Sequence, residues 1–107
     1  MSLPEVERAF EEFDGGDARS GQGRLGEVCA IALPDDSLGS IVALVVEPGS
    51  AGTPDKAELL AHARLELAPQ FVPRRFYLLD RLPRTVGGKI RRHETVDLVM
   101  SGKAQRL

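Results

Sequence analysis

The sequence predicts a small α+β domain, a roughly three-stranded sheet flanked by helices with a Gly-Lys hairpin loop. Three observations carry this. Val6, Ala9, Phe10 and Phe13 recur at i, i+3, i+4 and i+7, one apolar face of a helix. Residues 41–46 (IVALVV) form an unbroken apolar run of strand length, the pattern of a strand buried on both faces. Leu59, Leu60, Ala63 and Leu67 repeat at helical spacing, with Pro54 ahead of them and Pro69 behind. At 107 residues, the chain can build one domain around one modest core.

The first helix begins at Ser2-Leu3-Pro4-Glu5, where Ser2 and Glu5 have capping-box spacing and proline is tolerated in a first turn. It should stop near Asp14-Gly15-Gly16. Residues 14–26 (DGGDARSGQGRLG) hold five glycines and few apolar residues, so they read as a mobile loop. Residues 27–33 (EVCAIAL) read as a strand, residues 34–40 as a turn, and residues 40–47 as a second, central strand. Residues 48–52 turn again. Thr53-Pro54-Asp55 opens the next helix, with Thr53 as cap, Pro54 at the first position and Asp55 facing the positive end of the dipole. Residues 75–80 (RFYLLD) read as a third strand and residues 84–91 as a glycine-tipped hairpin or loop. Val96, Val99 and Met100 suggest a last short helix. Residues 101–107 are polar and should fray, and residues 1–3 have the look of an expression scar.

Hydrophobic residues make up 42% of the chain and charged residues 28%, which excludes a collagenous, wholly disordered or disulfide-rich protein. No apolar run approaches the roughly 20 residues of a membrane helix, and residues 1–7 lack the apolar stretch of a secretory signal. No membrane association is expected. Cys29 is the single cysteine and has no intrachain partner, so a reducing, cytoplasmic setting is the simplest reading. The net charge of −2 hides an asymmetry: residues 1–73 hold 13 acidic and 5 basic residues, residues 74–107 hold 3 acidic and 9 basic. A basic last third points to an anionic ligand or partner.

Gly21-Gln22-Gly23-Arg24-Leu25-Gly26 matches G-x-G-x-x-G, but a dinucleotide site needs a strand before it and a helix after it. Here the order is reversed, and the segment reads as a linker. His62 and His93 are far apart and Cys29 is alone, so no metal site is expected. His62 is placed on the solvent face of its helix. No serine sits in a nucleophile elbow. The informative stretch is residues 71–93 (FVPRRFYLLDRLPRTVGGKIRRH), where Lys89 follows two glycines. A lysine at a glycine tip is a mobile cation suited to phosphate or carboxylate, although most exposed lysines are only solvated surface.

Val72-Pro73-Arg74-Arg75-Phe76, then Leu82-Pro83-Arg84-Thr85, then Gly88-Lys89-Ile90 with Arg92 resemble the last motif of the adenylate-forming ligases. That superfamily includes acyl-CoA synthetases, adenylation domains of nonribosomal peptide synthetases, and luciferases. Pro4-Glu5-Val6-Glu7 is similar to the opening of the family's C-terminal subdomain. Pro34-Asp35-Asp36 with Gly39 and residues 41–46 is similar to its turn and central strand, and residues 58–73 to its helix and exit. The resemblance spans residues 4–96. Departures are the adjacency of Pro4 and Glu5, the long glycine-rich 14–26 segment, and His93 where a second arginine is common.

The resemblance implies a mobile lid domain covering 1–107, whose partner is a large N-terminal AMP-binding domain. The phosphate loop, the adenine and acyl pockets and the hinge belong to that larger part. The implied chemistry uses ATP and Mg²⁺ to convert a small carboxylic acid to an acyl-AMP. Transfer to coenzyme A, or to the pantetheine of a carrier protein, follows. Lys89 matches the family's adenylation lysine, with Gly87, Gly88 and Thr85 supporting its loop; Arg91 and Arg92 are read as loop supports, anion contacts or solvated charge. This segment alone is not expected to turn over substrate. Two other readings stay open: a non-catalytic binding module using the basic last third, and a free-standing lid protein docking on a separate ligase core. The low aromatic content, 5%, offers few stacking platforms, so nucleic acid is not the expected partner.

Overall fold

The computed structural model describes residues 3–10, 27–49 and 55–107. The chain runs α1 (Leu3–Arg8), β1 (Val28–Asp35), β2 (Gly39–Val46), α2 (Lys56–Glu66), a 3-10 turn (Pro69–Phe71), β3 (Arg75–Leu78), α3 (Arg92–Met100) and β4 (Gln105–Arg106). The four strands form one mixed sheet in sequence order. β1 and β2 pair antiparallel from Val28↔Val46 to Asp35↔Gly39. β2 and β3 pair parallel, from Ala43↔Arg75 to Val46↔Leu78, and a parallel pair needs a crossover, which α2 supplies.

The β1–β2 turn has a local cause. The Asp35 carboxylate accepts the N–H groups of Ser37 (3.1 Å) and Leu38 (2.8 Å), and Gly39 takes φ 80°, a backbone conformation costly for other residues.

Strand alternation divides the core between the two faces of the sheet. On one face Ala30, Leu44, Val46, Phe76 and Leu78 pack with Val6 of α1, with Phe10 in the turn that follows it, since α1 ends at Arg8 rather than near Asp14, and with Leu59, Ala63 and Leu67. On the other, Cys29, Ile31, Ala43, Val45 and Tyr77 pack with Leu79, Leu82 and Val99. The apolar run of β2 is therefore interior, between β1 and β3 and covered on both sides, as its sequence predicts.

Several expectations change. α2 is capped by Asp55, whose side chain accepts the Ala57 N–H at 3.1 Å, while Thr53 and Pro54 lie outside the described residues. An aspartate here satisfies a free donor and also complements the helix dipole. His62 is half-buried rather than solvent-facing: its Nε2 meets the Ala9 carbonyl and its ring lies 5.2 Å from that of Phe10. Leu3 opens α1, in keeping with the helix start read at Ser2-Leu3-Pro4-Glu5, and packs against the first core. Phe13, the 14–26 loop and the 21–26 glycine motif lie outside the described residues.

The expected frayed tail is instead a fourth strand. Gly102, at φ 80°, donates to the Val99 carbonyl (3.1 Å), and Lys103 donates to that of Leu98 (3.0 Å). These paired bonds form the Schellman stop, which turns the chain back at the end of α3. Gln105 and Arg106 then pair with Leu78 and Tyr77, and the Leu107 N–H donates to Phe76 O at 2.9 Å. Met100 is 60% exposed and takes no part in the core, because Thr95 and Val99 hold the inward face of α3.

Candidate functional site: the Lys89 loop

The residues singled out by sequence converge on one loop between β3 and α3. Leu82, 1% exposed, plants its start in the second core. An isolated antiparallel bridge joins Arg84 to Ile90, and the Arg91 N–H donates to the Pro83 carbonyl at 2.8 Å. Inside that bridge Thr85 closes the tip three times. Its N–H donates to Lys89 O (2.7 Å), its carbonyl accepts from Gly88 N–H (2.9 Å), and its hydroxyl accepts from Lys89 N–H (3.2 Å). The glycine-tipped hairpin is thus present as a tight loop held by one bridge.

Gly88 sits at φ 88°, which explains a glycine at that position. Val86, Gly87, Gly88 and Lys89 are all exposed. Among the described residues, no carboxylate forms an ion pair with the Lys89 ammonium. The loop therefore offers a cation on a defined backbone, open to a ligand or another surface.

Arg91 and Arg92 face other tasks. Arg91 pairs with Glu94, one turn along α3. Arg92 donates to both oxygens of Glu7 (2.7 and 3.3 Å) and to the Ala30 carbonyl. Neither guanidinium joins Lys89 at the tip, and their role as anion contacts finds no support in this arrangement.

Glu47, which sequence reasoning did not single out, sits under the start of the loop. Its Oε1 accepts from Arg84 Nη2 (2.9 Å) and Glu27 N–H (3.1 Å), and its Oε2 accepts from Leu82 N–H (2.7 Å). Burial alone would raise its carboxyl pKa, but hydrogen bonds from Arg84, Leu82 and Glu27 outweigh it, so the carboxyl ionises below its usual range. The available signal was slight: one carboxylate directly after six apolar residues, followed by Pro48.

A separate groove of about 620 Å³ lies between α2 and the 69–76 segment, with Lys56, Arg64 and Arg74 around an apolar floor of Leu60, Val72 and Phe76. It shares no residue with the Lys89 loop. No helix among the described residues is long and apolar enough to cross a membrane.

Comparison with known proteins agrees with this architecture. A medium/long-chain-fatty-acid–CoA/3-oxocholest-4-en-26-oate–CoA ligase of Mycolicibacterium smegmatis is 40% identical over 63 residues, 59% of this chain and 11% of that enzyme. A 2-succinylbenzoate–CoA ligase of Listeria monocytogenes serotype 4b is 33% identical over 91 residues, 84% of this chain and 17% of that enzyme. The chain thus spans less than a fifth of the length of these curated relatives. An o-succinylbenzoate CoA synthetase structure from Bacillus subtilis superposes with a TM-score of 0.71 at 21% identity, covering 100% of this chain and 19% of that one. Residues 21–89 match the AMP-binding enzyme C-terminal domain, and on the strength of that match and the Listeria relative the chain belongs to that family of the adenylate-forming superfamily.

Proposed function

We propose that the chain acts as the lid of an ATP-dependent acid–CoA ligase and brings Lys89 to the adenylation step. The observation that carries the reading is the Lys89 loop: an exposed ammonium, without an internal ion pair among the described residues, on a backbone closed by Thr85. The relatives' names as CoA ligases support the reaction class and favour coenzyme A over a carrier protein as the thiol.

In the proposed first step a carboxylate oxygen attacks the α-phosphorus of Mg-ATP, and the bond to pyrophosphate breaks. Acyl-AMP results. In the second a thiol gives up its proton to solvent, its sulfur attacks the acyl carbonyl, and AMP leaves. Nucleophile and phosphate are both anions, and charge grows on the phosphoryl oxygens in the transition state. An ammonium placed between them offsets that repulsion, an effect of about 3 kcal/mol or roughly 10²-fold in rate. The large N-terminal domain supplies the nucleotide and acyl pockets, and the cytoplasm is the proposed setting.

Arg84, Arg91 and Arg92 are each paired with a carboxylate of this same domain. The test is Lys89→Ala in the two-domain enzyme. Pyrophosphate release should fall about 10²-fold while thioester formation from supplied acyl-AMP changes less than about twofold. Equal loss in both half-reactions removes Lys89 from the adenylation role.

A further inference from the structure

We propose that Glu47 and Glu7 are positioning residues for Lys89, each holding one end of the loop that carries it. The functional consequence rests on the lid reading above; the geometry does not. The tip needs outside support because residues 86–89 are all exposed and place no side chain in either core. With two consecutive glycines in that span, the direction of the tip is set where the loop joins the domain.

At the start of the loop, Glu47 takes the Leu82 N–H and the Arg84 guanidinium, the donors on either side of Pro83. Pro83 has no N–H of its own. Arg84 also donates from Nη1 to the Leu82 carbonyl (3.1 Å), which folds its side chain back over the joint. The Glu47 side chain is only 13% exposed and its third bond reaches Glu27, so the joint is tied to both β1 and β2 at their paired ends.

At the far end, Arg92 follows directly on Arg91, whose N–H closes the loop onto Pro83. The Arg92 guanidinium forks onto Glu7 while Glu7 Oε2 accepts the Ala30 N–H at 2.7 Å. The Arg84↔Ile90 bridge links the two anchored ends. A shift of about 1 Å in a reacting group can cost about 10²-fold in rate, so fixed ends matter to a cation that must meet two anions.

The test pairs amide hydrogen exchange on the 107-residue chain with kinetics of the two-domain enzyme. In Glu47→Gln and in Glu7→Gln, exchange at Gly88 and Lys89 should speed at least tenfold, while Leu67 in the helix-end bond of α2 stays within about twofold once global stability is accounted for. Arg84→Lys should give a smaller increase, since it keeps the charge without the fork. In the enzyme, Glu47→Gln should lower adenylation kcat about tenfold, with KM for acid and ATP and the thioester step within about twofold. Should Glu47→Gln fail to fold, Arg84→Ala gives the same readout from the other side of the pair. Loop amides that exchange as in the parent chain, or equal loss in both half-reactions, overturn the proposal. If Lys89→Ala leaves adenylation intact, the lid reading fails, and the exchange result decides the anchoring by itself.

Discussion

Arg92 and Glu7 lie 85 positions apart in sequence and meet at 2.7 Å over the outer edge of β1. β1 is an edge strand, and the peptide groups of Ala30 that face away from β2 are both taken: its N–H by Glu7, its carbonyl by Arg92. The ion pair thus covers a strip of open sheet edge and joins three elements, α1, β1 and α3, at one point.

This sets the expected cost of breaking it. The side chains are 36% and 22% exposed, between the solvent-facing pairs that contribute little and the buried pairs whose loss is severe. Arg92→Ala and Glu7→Ala should each lower unfolding free energy by about 1–2 kcal/mol in urea titrations, because each also leaves an Ala30 peptide group without its partner. The double variant should cost about 1 kcal/mol less than the sum. Strict additivity would show that the pair is incidental.

Glu47 gives a pH dependence with a defined sign. Its folded-state pKa lies below the usual carboxylate range, so the unfolded chain binds the proton more readily. The stabilisation is complete above the unfolded value and is lost as pH falls through the folded one. Arg84 stays charged throughout, and Glu27 contributes its backbone N–H to the same carboxylate. Parent and Glu47→Gln stability curves should therefore keep a constant separation above about pH 5 and draw together as pH falls from about 4 into the acid range. Parallel curves across that interval would remove Glu47 as a source of the acid transition.

The two loop glycines should respond differently to alanine. At Gly88 no atom lies within 4 Å of an added Cβ, but φ is 88°, so the penalty is backbone strain. At Gly87 the nearest atom is the Thr85 hydroxyl at 3.8 Å, an ordinary contact with no positive φ. Gly88→Ala should cost about 1–2 kcal/mol and shift the Thr85 and Lys89 amide resonances, whereas Gly87→Ala should change stability by less than about 0.5 kcal/mol. Equal effects would mean that the loop does not keep this backbone in solution.

Cys29 should be inert in the folded chain. Burial pushes its thiol up to about 11, and the Glu7 carboxylate adds to the rise. The thiolate is the reactive form, so an aromatic disulfide reagent at pH 8 should label it at the rate of unfolding. Labelling as fast in native buffer as in denaturant would contradict this packing.

What sequence could read was what local pattern encodes. Val6 and Phe10 declared core positions by spacing, although α1 ends at Arg8 before Phe10; residues 41–46 declared a buried strand by continuity, and Gly87-Gly88-Lys89 a tight loop by composition. What it could not read was pairing at a distance. Nothing near Arg92 in sequence names Glu7, and nothing near Glu47 names Arg84. Arg92 therefore read as a loop support, an anion contact or solvated charge, and Arg84 only as part of the ligase-like motif. Sequence pattern named Thr53 as the cap and Asp55 only as a charge near the dipole, and the structure shows that the Asp55 side chain holds the Ala57 N–H. The tail was a different kind of miss. Ser101-Gly102-Lys103 carries a helix-stop signal, and Leu107 is apolar, but a two-residue strand has too little pattern to be seen without its partner.

That partner makes the tail a test of the whole sheet. β4 covers the side of β3 that faces away from β2, and removing residues 105–107 would leave β3 as a bare edge. The deletion loses the ladder to Tyr77 and Leu78, the Leu107–Phe76 bond and the packing of Leu107 on the first core. At about 1 kcal/mol for each net backbone bond and a similar amount for a partly buried leucine, the cost should be about 3–4 kcal/mol in a urea titration. The uncovered strand is short but carries Phe76, Tyr77 and Leu78, so the truncated chain should also self-associate at concentrations where the parent does not. Sedimentation velocity of the two chains decides this second point. A truncated chain as stable and as dispersed as the parent would return these residues to the frayed tail that their composition suggests.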